Sequence, residues 1–142
     1  MNMIQSAKDQ VLALTTAAYQ KAAAAGLLPE GVTVIPSVEI PKDTANGDYT
    51  TTFCLAAAKA MKMNPRQVAQ ILTEQMDLTD TYFTSVELAG PGFLNFRLGS
   101  RWFGDTVACV EAEGADYGRN DTLTGKKYMV EFVSTNPTGP MH

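Results

Sequence analysis

Long apolar runs are missing from this chain. No hydrophobic stretch approaches the roughly 18 residues that a membrane-spanning helix needs, and the first 25 residues are broken throughout by Gln, Lys, Asp and Thr. Neither a membrane span nor a secretory leader is expected, which points to the cytoplasm. Cysteine is scarce. Cys54 lies among alanines and Cys109 in an apolar helical stripe, and neither has CxxC spacing, so both read as reduced core residues and not as a disulfide or zinc framework. His142 is the single histidine, and no metal site is expected. Basic charge is also short: the net charge is −4, which argues against a protein whose whole surface grips nucleic acid. Internal repeats, low-complexity tracts and βαβ regularity are lacking too.

What remains is 142 residues, 45% of them hydrophobic, enough for one domain with a proper core. The charge is segregated along the chain. Lys59, Lys62 and Arg66 occur between residues 53 and 73 without an acid, whereas residues 105–121 carry Asp105, Glu111, Glu113, Asp116 and Asp121 against Arg119 alone. One basic face is therefore compatible with the acidic total.

Apolar residues at steps of three and four (Ile4, Ala7, Val11, Leu14, Ala18) predict a helix over 3–25, with Gly26 as its stop. Alternation over 32–40 predicts a strand with Val32, Val34, Val38 and Ile40 inward, held to a sheet edge by Pro36. Asp48 is a suitable cap for a helix over 49–61. Asn64-Pro65-Arg66-Gln67 combines a cap, a first-turn proline and a capping-box glutamine, so another helix starts there and runs to about Met76. Two strands, 82–89 and 93–98, flank Gly90-Pro91-Gly92 as a hairpin. A helix follows from Ser100 through about Glu113, expected to bury Phe103, Val107 and Val110. These elements predict an α+β domain, with helices packed on one face of a small antiparallel sheet.

The second hairpin strand carries a functional signal. If Leu94, Phe96 and Leu98 face the core, then Phe93, Asn95 and Arg97 are displayed together on the opposite face. A ring that stacks an unpaired base, an amide that reads its edge and a cation for phosphate suit RNA. The same three residues also fit a routine polar strand face with Phe93 covering a helix.

Residues 127–142 form a second candidate region. Tyr128-Met129-Val130-Glu131-Phe132-Val133 reads as a buried strand, followed by the turn Ser134-Thr135-Asn136-Pro137-Thr138-Gly139-Pro140. A near-continuous apolar strand running into such a turn is how a nucleotide-binding α/β unit begins. Glu131 inside it needs a cation or hydrogen bonds, and a guanidinium would meet a carboxylate in bidentate fashion. The expected organisation is a domain over 1–118, a linker over 119–126, and over 127–142 one orphan strand of a truncated nucleotide-binding α/β domain. A noncatalytic RNA-binding or protein-docking module that ends naturally at this point is the alternative.

The stretch from Glu131 to His142, reading EFVSTNPTGPMH, resembles the approach to the ATP-binding signature of class I arginyl-tRNA synthetases. Glu39-Ile40-Pro41-Lys42-Asp43, Gly47-Asp48-Tyr49 and Gly90-Pro91-Gly92-Phe93-Leu94-Asn95-Phe96 are similar to that family in the same order. The resemblance implies an N-terminal additional domain that contacts the elbow of tRNA-Arg, with Phe93 as stacking platform for a D-loop base and Asn95 as its reader. Arg97 as a phosphate contact extends this by strand parity. The resemblance also implies that Glu131, Ser134 and Asn136 line an arginine pocket, and that His142 is the first histidine of the ATP signature. It places ATP and Mg²⁺ in the full-length ligase. This chain alone is expected to be inactive and to bind neither.

Overall fold

The computed structural model describes residues 2–140. Among these, four α-helices stand with a four-stranded antiparallel sheet of order β1-β2-β4-β3. The strands are β1 (Val38–Glu39), β2 (Tyr49–Thr51), β3 (Phe83–Ala89) and β4 (Phe93–Leu98); the helices are α1 (Met3–Ala24), α2 (Phe53–Met61), α3 (Pro65–Gln75) and α4 (Ser100–Glu113). The predicted α+β class holds. No helix among the described residues is long and apolar enough to cross a membrane.

Helix α1 begins where the Asn2 side chain accepts the Gln5 N–H. It ends in a Schellman-type stop, with Leu27 N–H on Ala22 O, Gly26 N–H on Ala23 O, and Gly26 at φ +72°. Its buried stripe is Met3, Ala7, Val11, Leu14, Ala18 and Ala22, while Ile4 is exposed. Helix α3 starts as predicted, with Asn64 Oδ1 accepting the Arg66 N–H at 2.9 Å and Pro65 in the first turn. Helices α1, α2 and α3 close one core with the inner sheet face, centred on Val11, Cys54, Val68, Leu72, Leu94 and Phe96. Phe83 joins the rings of Tyr49 and Phe96 edge-on, at 5.9 and 5.3 Å.

The segment after Gly47 departs from expectation. Tyr49-Thr50-Thr51 is a strand and not the first turn of a helix, and it lies inside the sheet between β1 and β4. An aromatic and two β-branched residues suit a pleated surface, and the unpaired edge of β4 supplies the ladder. Asp48 consequently caps no helix: its carboxylate accepts the Leu98 N–H at 2.8 Å and ties the start of β2 to the end of β4. Helix α2 begins later, after Thr52. Of the strand predicted over 32–40, only Val38–Glu39 pairs. Val32, Val34 and Val38 still pack on the core, whereas Ile40 is exposed.

Two further expectations fail on burial. Helix α4 contains no buried residue, and Phe103, Val107 and Val110 are exposed. It is held through its other side, where Trp102 packs against the core and donates to Met3 O at 3.1 Å, and where Tyr82 OH donates to Asp105 at 3.0 Å. Desolvation and the Asp105 hydrogen bond raise the Tyr82 phenol above its ordinary range. The orphan strand predicted over 128–133 is irregular chain, with Met129 and Phe132 exposed. A strand needs a ladder partner for its N–H and C=O groups, and among the described residues no neighbouring strand offers one.

Candidate functional site

Alternation in β2 and β4 sorts their side chains between two faces. Tyr49 and Thr51 face the core opposite Phe96 and Leu94, and Thr50 stands opposite Asn95 on the outer face. On the hairpin side Ala89 pairs with Phe93, Glu87 with Asn95, and Ser85 with Arg97. The outer face thus carries Phe93, Asn95 and Arg97 in one column, as strand parity predicted, with Thr50 beside Asn95.

Phe93, Asn95 and Thr50 border a cleft of about 380 Å³, and Arg97 lies outside its lining. Its floor is Thr50, Phe93 and Asn95; one wall is Pro41, Lys42, Asp43 and Asn46, and the other is Ala89, Gly90 and Pro91. Phe93 is half-buried and Asn95 is only 8% exposed. The Asn95 amide nevertheless has no hydrogen-bond partner among the described residues. Its polar atoms are not among the buried ones that lack a partner, so they open to the cleft, where an amide can receive a ligand.

The walls are fixed from outside the cleft. Gly92 has φ +148°, and a Cβ there would come within 2.8 Å of Pro65 Cβ, so the hairpin turn sits directly on the first turn of α3. Arg66 reinforces this contact, its Nη1 donating to Gly90 O at 2.5 Å. Opposite, Gly47 at φ +90° lets the 44–46 turn reach β4, since a Cβ would lie 2.8 Å from Phe96 O. Arg97 Nη2 donates to Ala45 O at 2.8 Å and holds the same turn. Lys42 and Asp43 thus line the cleft, and Arg66 and Arg97 stand behind its two walls, bound to the Gly90 and Ala45 carbonyls. The geometry offers one flat ring, one bidentate amide and flanking positive charge, which together can stack a base, read its edge and meet phosphates.

The other predicted site residues are not part of this arrangement. Glu131, Ser134 and Asn136 are exposed on irregular chain. His142 lies outside the described residues. A second cleft of about 370 Å³ lies between the start of α1, Trp102 and residues 117–120, and includes none of the predicted site residues. Thr50 was missed as a site residue because the segment after Gly47 reads as a capped helix, and Lys42 and Asn46 because they lie in a turn-rich stretch before it whose sequence shows no site pattern. The adjacent aromatic and β-branched pair at 49–51 is the signal that would have exposed the strand, and with it Thr50 opposite Asn95.

Comparison with known proteins decides the family. A family model described as the arginyl tRNA synthetase N terminal domain matches residues 10–98, which include the entire cleft. The chain belongs to this family. An arginine–tRNA ligase of Acetivibrio thermocellus is 42% identical over 141 residues, and one of Caldanaerobacter subterraneus subsp. tengcongensis is 40% identical over 141 residues. Each alignment covers 99% of this chain and 25% of the relative, so the chain spans about a quarter of the length of the curated relatives it matches. The crystal structure of an arginyl-tRNA synthetase from Plasmodium falciparum shares the fold, with a TM-score of 0.55 and 11% identity, over 70% of this chain and 17% of that one.

Proposed function

We propose that this chain is the tRNA-docking part of an arginine–tRNA ligase and that the outer-face cleft receives an unpaired base of the tRNA-Arg elbow, in the D-loop. The observation that carries the reading is Asn95, held in the cleft floor beside the Phe93 ring with no protein partner for its amide among the described residues. Phe93 stacks the base, Asn95 hydrogen-bonds its edge, and Arg97, with Lys42 and Arg66, meets the adjoining phosphates. A net charge of −4 keeps this attraction local.

We extend the proposal to residues 131–142 on their resemblance to the approach to the ATP signature. In a whole ligase Glu131 would face the guanidinium of arginine, Ser134 and Asn136 its amino-acid end, and His142 the phosphates of ATP with Mg²⁺ as arginyl-adenylate forms. We place the docking domain at 1–118, a linker at 119–126 and the start of the catalytic part at 127–142, in a cytoplasmic enzyme.

Titration of the 142-residue chain with an arginine-tRNA transcript tests the docking role. Stacking is worth about 1–3 kcal/mol per base, so Phe93→Ala should weaken binding roughly five- to hundredfold. Asn95→Ala should also weaken it, with the fold retained in both variants. Unchanged affinity in Phe93→Ala would rule the pocket out.

A further inference from the structure

We propose that Thr50 is a positioning residue for Asn95: when a base enters the cleft, the Thr50 hydroxyl holds one end of the Asn95 amide and thereby presents the other end to the base. The proposal rests on the reading of the cleft as a base pocket.

Thr50 and Asn95 are direct cross-strand partners on the outer face, and both line the cleft. Side chains so paired have their Cβ atoms about 4.5–5.5 Å apart, within reach of one another after small side-chain rotations. Each is also unpaired. Thr50 Oγ1 is buried and has no hydrogen-bond partner among the described residues, and the Asn95 amide has none either. A buried hydroxyl left without a partner is a poor solution for a resting sheet, because a valine at position 50 would fill the same space without the cost of an unpaired hydroxyl.

The neighbouring threonines show how a purely structural hydroxyl is used in this fold. Thr51, on the core face of the same strand, donates to Ser37 O at 2.7 Å and accepts from Phe53 N–H at 3.3 Å. Thr15 and Thr73 return their hydroxyls to carbonyls four residues earlier in their helices. Thr50 does none of this.

A hydroxyl both donates and accepts, so it can engage either the Oδ1 or the Nδ2 end of the amide. Whichever end it takes, the opposite end faces the base. Exposed carboxylates stand at both ends of the cross-strand row, with Glu39 opposite Thr50 and Glu87 opposite Asn95. Phosphates are thereby disfavoured along this row, and the position beside Asn95 is left to a base edge.

The test uses the 142-residue chain and an arginine-tRNA transcript, followed by anisotropy, with urea unfolding of the free protein alongside. Thr50→Val should lower affinity about three- to tenfold, the worth of one hydrogen bond, while leaving the unfolding midpoint equal to or above that of the parent. Thr50→Ser should keep the parent affinity. In an Asn95→Ala background, Thr50→Val should cause no additional loss. Parent-like binding by Thr50→Val, with Phe93→Ala still weakened, overturns the role of Thr50 and leaves the pocket standing. Weakened binding that tracks a lowered midpoint assigns Thr50 a merely structural role and overturns the proposal too. Unchanged binding by Phe93→Ala, or no binding by the parent chain, overturns the pocket and Thr50 with it.

Discussion

Asn95 and Cys54 represent opposite kinds of buried polar group in this domain. Cys54 is fully buried against the helices, and burial pushes its thiol up to about 12. A thiol so placed has almost no thiolate at neutral pH and behaves as a small apolar residue. Cys109 is only half-buried, on the loosely covered helix α4. With a thiol-specific disulfide reagent at pH 8, the native chain should therefore release one equivalent quickly, from Cys109, and the second only after denaturation. Equal rates at both cysteines would show that the Cys54 thiol is accessible and ionises like an exposed one. The same raised value implies that stability is undiminished below pH 9, the thiol's ordinary value, and falls as pH rises from 9 towards about 12, because only the unfolded chain releases the proton there. Asn95 differs because it borders open space, so its missing partner is an invitation to a ligand and not an inert burial.

At the scale of elements, glycines separate what is fixed from what is free. Gly92 combines positive φ with a close approach to Pro65, whereas Gly104 lies within α4 with nothing within 4 Å of its Cβ position. Gly92→Ala should cost at least about 1 kcal/mol, while Gly104→Ala should gain about 0.5–1 kcal/mol from helix propensity. Urea unfolding of the two variants checks this, and a neutral Gly92→Ala would contradict the docking of the hairpin on α3. The hairpin was legible in the sequence because its turn chemistry and its alternation agree, and the parity of Leu94 and Phe96 placed Phe93 and Asn95 correctly. Strand β2 was not legible, since Asp48 before an apolar run is also what a helix cap looks like, and only the edge of β4 decides between them. Helix α4 was read correctly as a helix and wrongly as buried: its periodicity reports an apolar stripe, but Phe103, Val107 and Val110 face outward. The strand expected over 128–133 failed for a related reason, because apolar sequence supplies propensity while pairing has to come from a neighbour.

For the whole molecule, the sheet acts as a partition. One face carries the core with α1, α2 and α3, and the other carries a cleft whose walls are tied at Gly90 by Arg66 and at Ala45 by Arg97. Lys42, Arg66 and Arg97 stand around this cleft together with Asp43, Glu39 and Glu87, while the acids of residues 105–121 belong to α4 and the chain after it. On the proposed reading an exposed base would enter the outer-face cleft, whereas an apolar protein surface would meet the stripe on α4. Backbone amide NMR of the ¹⁵N-labelled chain, titrated with an arginine-tRNA transcript, separates these outcomes most directly. The account predicts that the shifted amides cluster at residues 41–50 and 89–97, including Thr50, Phe93 and Asn95, with α4 unaffected. Shifts confined to α4, or none around the cleft at saturating RNA, would contradict it.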